Sequence, residues 1–194
     1  AMPNSLDVVL SEKKQRVISH SVVGRRYIHQ SLIFPAFSLE NSLADRYSLG
    51  FACRELWRLF LRPIGEIGVY KADYKYFVSQ TYGYVAFYSY VPKELKKEYQ
   101  KIIFTELDKL TVQKDFRKKI NKFKKDKKRD LISKWKSNSG RMDWVIDDVV
   151  DFDSIKSLLE VENELGKVDR ERVSAAVKKV FNLANLRILT VTSK

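Results

Sequence analysis

The sequence has 194 residues, with 37 Lys plus Arg against 24 Asp plus Glu, a net charge of +13, 44% hydrophobic and 12% aromatic residues, and only 7 Gly and 4 Pro. That apolar content supplies one sizeable core and excludes a disordered or fibrous chain. No apolar run approaches the roughly 18 residues of a membrane span, and the start AMPNSLDVVLSEKKQR lacks the apolar centre of a signal peptide, so a soluble and by default cytoplasmic protein is expected. Ala1 before Met2 reads as a residue added in cloning, and the parent chain is expected to be longer. Residues 1–24 are expected to be a lead segment and 25–194 a single domain.

In chain order, Arg25 to Phe34 is rich in β-branched and aromatic residues and stops at Pro35, which predicts a strand. Asn41 to Phe60 predicts a helix, because Leu43, Tyr47 and Phe51, and Leu49, Leu56 and Leu59, recur at helical spacings. Pro63, Gly65 and Gly68 then predict a loop. Val69 to Ser79 alternates Tyr70, Ala72, Tyr74 and Tyr76 with Lys71, Asp73 and Lys75, and Tyr82 to Val91 follows closely, so the two form an expected antiparallel hairpin. After Pro92 the period becomes helical through Leu110, with Leu95, Tyr99, Ile102, Ile103 and Leu107 on one side.

Lys114 to Trp135 keeps a thin stripe of Phe116, Ile120, Phe123, Leu131 and Trp135, which predicts a long helix with a wide lysine face ended by Ser137 to Gly140. Two short helical pieces are expected at Met142 to Val150 and Ser154 to Leu165, the second with Gly166 as its C-cap. Asp169, flanked by Val168 and Val173, is placed to cap a helix running through Phe181. Leu186 to Thr192 closes the chain as a strand. This order favours an α+β fold, a mainly antiparallel sheet with helices packed on one face.

Charge is concentrated. Residues 114–136 carry 12 basic and 3 acidic groups, and Asp143 to Glu164 carries eight acids with Lys156 as its only base. The acidic stretch is expected to fold back beside the basic helix, and a basic helix would also bias a binding cavity toward acidic peptides.

Catalytic signatures are mostly absent from the sequence. The glycines are too scattered for a phosphate loop or a dinucleotide fingerprint. His20 and His29 stand nine apart, and neither HExxH nor HxxEH occurs, which excludes a histidine-pair zinc site in this chain. His29 is expected to be a structural or edge-strand histidine. Cys53, the single cysteine, excludes a disulfide framework and reads as a buried structural thiol.

Tyr82-Gly83-Tyr84-Val85-Ala86-Phe87 lies close to the aromatic strand motif of RNA-binding sheets, and the early strand-helix-strand-strand-helix order suits that fold. A single-stranded nucleic acid would then stack on Tyr82, Tyr84 and Phe87. Gln80 and Thr81 replace the basic residue and glycine that open the motif, and the last strand stands about 75 residues too late.

A different resemblance covers nearly the whole chain. His29 to Ala36 (HQSLIFPA) with Asp45-Arg46-Tyr47-Ser48-Leu49, then Arg58-Leu59-Phe60-Leu61-Arg62 with Gly68-Val69-Tyr70, resemble the metal-free C-terminal type of domain in the pitrilysin and insulinase family of zinc metallopeptidases, which includes mitochondrial processing peptidase. Tyr82 to Pro92 with the helix behind it, and Val168 to Val173 through Asn182 to Leu186, continue the likeness in order. The resemblance implies a half that lacks the HxxEH motif, holds no cofactor itself, and completes a peptide chamber with a zinc-bearing homologous domain. It implies that Arg62 and Tyr70 hold a peptide carbonyl beside the partner's zinc, since a fixed cation and a phenol suit a developing oxyanion. The pair stands one residue further apart than the common family spacing, with Pro63-Ile64-Gly65 in place of charged residues. Glu66 on the same stretch reads as a solvated turn residue. A purely structural assembly subunit, with no peptide contact, is the remaining alternative.

Overall fold

The computed structural model describes residues 27–36, 42–78, 83–110, 116–152, 155–182, 184 and 186–191. Four strands form one antiparallel sheet: β1 (Tyr27–Pro35), β2 (Tyr70–Val78), β3 (Gly83–Pro92) and β4 (Arg187–Val191), in the order β2-β3-β1-β4. The alternation expected of half-covered strands is clearest in β3. Gly83, Val85, Phe87, Ser89 and Val91 are buried, whereas Tyr84, Ala86, Tyr88 and Tyr90 between them are only partly covered. β2 and β3 form the predicted hairpin. β4, separated from its partner by most of the chain, pairs with β1, and Gln30 Nε2 donates to Thr190 Oγ1 at 3.3 Å across that junction.

Helices lie over the buried face, as the sequence predicted. They are α1 (Leu43–Glu66), α2 (Lys96–Leu110, after a short 3-10 turn at Lys93–Leu95), α3 (Phe116–Lys136), α4 (Asn138–Phe152), α5 (Leu158–Gly166) and α6 (Arg170–Val180). α1 is the central helix, packed on β2, α2, α5 and α6, while α3 packs on α4, α5 and α6. Its start is capped by Ser42, whose hydroxyl accepts from the Asp45 N–H at 3.1 Å. Gly50 of α1 faces the Tyr76 phenol, and a Cβ there would stand 2.7 Å from its oxygen, so glycine permits this close approach of helix and strand. Phe87 anchors the core, its ring 5.0 Å from Phe60 and 6.3 Å from Phe34, and truncating such a residue costs about 3–5 kcal/mol.

Several boundaries differ from the sequence reading. The predicted loop from Pro63 is helix as far as Glu66, because Ile64 is buried in the core and draws the last turn inward. The chain turns instead at Gly68, whose φ of 74° suits glycine, with Val69 N–H donating to the Ile64 carbonyl at 3.2 Å. Gly140 does not end a helix. It lies within α4, where a Cβ would collide with the Lys134 carbonyl, and the break is confined to Ser137. α5 begins at Leu158 rather than Ser154, fixed by a capping box in which Ser157 Oγ accepts from Glu160 N–H and the Glu160 carboxylate accepts from Ser157 N–H at 2.7 Å. Gly166 is the last residue of α5, with Lys167 as its cap. Asp169 caps α6 as predicted, accepting from Arg172 N–H at 2.8 Å.

The acidic stretch does lie beside the basic helix. Lys128 pairs with Glu162 at 2.8 Å, and Lys124 Nζ donates to the Gly166 carbonyl at 2.6 Å, both joining α3 to α5. The lysine face therefore belongs to the helix layer. No helix among the described residues is long and apolar enough to cross a membrane.

Candidate functional site

One face of the sheet carries the core and the helices, and among the described residues the other is left open. Cross-strand register arranges the open face in rows from β2 to β4: Tyr70, Tyr90, His29 and Val191; then Asp73, Tyr88, Ser31 and Leu189; then Lys75, Ala86, Ile33 and Arg187; then Phe77, Tyr84 and Pro35. Rings dominate the first row, and Tyr88 adds one in the second. Tyr70 stands 6.4 Å from both Tyr27 and Tyr90, His29 stands 5.2 Å from Tyr90 and 6.4 Å from Tyr88, and Phe77 stands 6.3 Å from Tyr84. His29 is thus on a central strand, not an edge.

Tyr70 reaches this face through an irregularity. Uniform alternation from Tyr70 to Tyr76 would place Tyr70 on the buried side with Tyr74, but Tyr70 pairs with Tyr90 and Ala72 with Ser89, leaving Lys71 as the extra residue of a β-bulge. Lys71 has a φ of 46°, the left-handed region disfavoured for a lysine, and the inserted residue reverses the parity of everything before it. Tyr70 emerges 58% exposed, neither the solvated end of a core alternation nor a core tyrosine.

Arg62 lies in the last turn of α1 with its side chain 89% exposed, and its Nε donates to Glu66 Oε1 at 3.2 Å. Glu66 is a helical residue one turn on, with a role as that partner rather than as a turn residue. Arg62 is held by Glu66, and Tyr70 by the rings of Tyr27 and Tyr90, and no hydrogen bond or ion pair joins Arg62 to Tyr70. Both side chains are open to an external group.

The aromatic triplet read from sequence divides between two sides. Phe87 is fully buried and cannot stack on a base, whereas Tyr84 is on the open face, and Tyr82 lies outside the described residues, as do His20 and the lead segment. Residues missed by the sequence reading are Asp73, Tyr88, Tyr90 and Tyr27. The signal for two of them was parity: Tyr88 and Tyr90, like Tyr84, are out of phase with Phe87, so they share the face opposite the core.

Asp73 is tied to this cluster, accepting from the Tyr88 hydroxyl at 3.1 Å and from the Tyr74 N–H at 2.8 Å. Desolvation first, then the hydrogen bond to Asp73 and its charge, raise the Tyr88 phenol above its ordinary pKa. Cys53 is fully buried in α1, and desolvation pushes its thiol far up, which makes it an inert core residue. Among the described residues no group of three or more His, Cys, Asp and Glu stands close enough to hold a metal ion.

No protein-family model and no curated protein matches the chain. Solved structures do. The periplasmic protease PqqL from Escherichia coli superposes with a TM-score of 0.77 at 16% identity, covering 89% of this chain and 20% of that one. A putative M16-like peptidase from Alicyclobacillus acidocaldarius gives 0.68 at 13% identity, covering 87% and 41%. The inactive peptidase domain of a putative zinc protease from Bordetella parapertussis gives 0.70 at 8% identity, covering 87% and 92%. The fold is that of the M16, or pitrilysin-type, peptidase domain, and the resemblance read from sequence holds at the level of the fold. The chain spans a fifth to two fifths of the first two proteins.

Proposed function

We propose that this chain is the metal-free half of an M16-type peptidase, or of an inactive relative, and that its open sheet face forms one wall of a peptide chamber closed by a zinc-bearing homologous partner. The observation that carries this reading is the tyrosine-lined face itself. A sheet that buries one side under helices and leaves half-covered rings on the other has a surface suited to an extended peptide, since aromatic rings supply large contact area with little rotamer entropy to lose. The fold shared with peptidase domains, together with a sequence that has no HxxEH, supports the metal-free role. Zinc belongs to the partner.

Within this reading Arg62 and Tyr70 supply hydrogen-bond donors to the peptide carbonyl as it takes up negative charge. The Arg62–Glu66 pair is exposed and worth only about 0–1 kcal/mol, so exchanging Glu66 for a developing oxyanion costs little.

Two measurements test the proposal. The isolated chain is expected to lose zinc on dialysis and to leave unstructured peptides uncut, and stoichiometric retained zinc would overturn it. Combined with the zinc-bearing half, Arg62→Ala is expected to lower kcat by about 100-fold, the usual effect of removing an oxyanion donor. Because Arg62 is solvated, the unfolding midpoint should not move, and unchanged turnover would reduce Arg62 to a surface residue.

A further inference from the structure

The open face is electrically divided along the strands. Its only described carboxylate, Asp73, sits in the second row against Tyr88, with the rings of Tyr70, Tyr90 and His29 in the row beside it, whereas the described cations Lys75 and Arg187 stand in the third row. Rows on one face recur every second residue, so the acidic and basic rows are separated by roughly 7 Å. Lys71, at the bulge, is also exposed at the β2 edge.

Tyrosine ring faces carry negative potential and attract a cation placed over them, and the attraction grows where a carboxylate stands beside the rings. One Asp73 oxygen receives the Tyr88 hydroxyl and the other the Tyr74 N–H, but a carboxylate has about four acceptor sites, so capacity remains on the solvent side. Asp73 is therefore oriented by two donors before any ligand arrives. Tyr70, turned onto this face by the bulge and 58% exposed, places its ring at the border of the same patch.

From this geometry we infer a subsite for one cationic side chain, the guanidinium or ammonium of an arginine or lysine in a peptide, at the Tyr70, Tyr90, Tyr88 and Asp73 corner of the sheet. The inference rests on the chamber reading and deepens it by naming the side chain the wall selects. It replaces the expectation that the basic helix favours acidic peptides, because α3 belongs to the helix layer and packs on α4, α5 and α6. Charge complementarity chooses the occupant: an acidic side chain would meet Asp73 here and would be drawn one row away, to Lys75 and Arg187.

The test is a binding titration of the 194-residue chain with two unstructured peptides that differ at one position, arginine in one and its neutral isostere citrulline in the other. The arginine peptide is expected to bind about tenfold more tightly, the combined effect of a partly exposed cation–π contact and a carboxylate. Asp73→Asn and, separately, Tyr90→Leu should each abolish most of that preference, and the conservative Asp73→Glu should restore part of it. Equal binding of the two peptides by the native chain overturns the cationic subsite while leaving a peptide-binding wall intact. Failure of both peptides to bind overturns the subsite and the wall together. Displacement of the arginine peptide by single-stranded oligonucleotide, lost in Tyr90→Leu, would reassign the rings to base stacking and also overturn the inference.

Discussion

Tyr99 shows how a single polar residue is tolerated in this core. Its ring is fully buried at the α2 side of the sheet, and its hydroxyl shares a 2.8 Å hydrogen bond with Ser89, itself fully buried on β3. Desolvation pushes the phenol up to about 12, with the Ser89 bond opposing that shift. The phenol is neutral in both states below its ordinary value near 10, so it imposes no pH dependence there. As pH rises from about 10 towards 12 the unfolded chain ionises while the native chain does not, and stability must fall. Cys53, raised in the same direction, strengthens that trend. Denaturant midpoints measured from pH 7 to 11 are expected to be flat and then to drop. Tyr99→Phe should flatten part of the drop while costing about 1–3 kcal/mol at neutral pH, because Ser89 is left buried without its partner. A variant as stable as the parent would show that Ser89 finds another partner. Glu55 is the charged counterpart: buried on α1, its carboxylate is met by Arg58 at 3.0 Å, Arg54 at 3.4 Å and Lys119 of α3 at 3.7 Å, which ties two helices through one acid.

Among the elements, β2 has the sharpest consequence. A lysine in the left-handed region costs on the order of 1 kcal/mol, a penalty glycine does not carry. Lys71→Gly is therefore expected to raise stability by about 0.5–1 kcal/mol while preserving the bulge, measured by chemical unfolding. Deleting residue 71 should instead remove the bulge and restore regular alternation with Tyr70 still opposite Tyr90 on the open face, so Tyr70 is expected to keep its exposure, measured by the pH titration of its phenol absorbance. Helical stripes were legible in the sequence because burial repeats with the helical period: Phe116, Ile120, Phe123 and Leu131 are the buried residues of α3, as their spacing requires. The bulge was not legible. An inserted residue is defined only against the strand it fails to match, and Tyr70 to Tyr76 alternates without a blemish until β3 is beside it. The end of α1 was misread for a related reason, since proline and glycine signal a break locally but Ile64 gains more by reaching the core.

At the scale of the whole molecule, contacts are unevenly shared. α1 is packed by the sheet and three helices, whereas the principal packing of α4 is against α3, and its Met142, Ile146 and Val149 remain exposed. Native-state hydrogen exchange is expected to be slowest in α1 and β3 and fastest among the helices in α4, by roughly a hundredfold or more, since local opening tracks the apolar contacts broken. Equal protection of α1 and α4 would mean that the helices open as one unit. The same layering separates the two charge systems. The lysines of α3 are partly answered by α5 within the helix layer, so a net charge of +13 says little about the sheet's open face.

Read alone, the sequence determined the layer architecture, the hairpin, the cap at Asp169 and the order of elements, because each of these is written in residue periodicity and local capping chemistry. Half of the candidate site was already present in that pattern, since the parity of Tyr84, Tyr88 and Tyr90 against Phe87 assigns them to one face. Tertiary structure alone decided that no described element covers this face, that Tyr70 joins it across a bulge, and that Asp73 meets Tyr88 there. Those features depend on register between strands that are distant in sequence, and register is set only when the core closes on one side of the sheet.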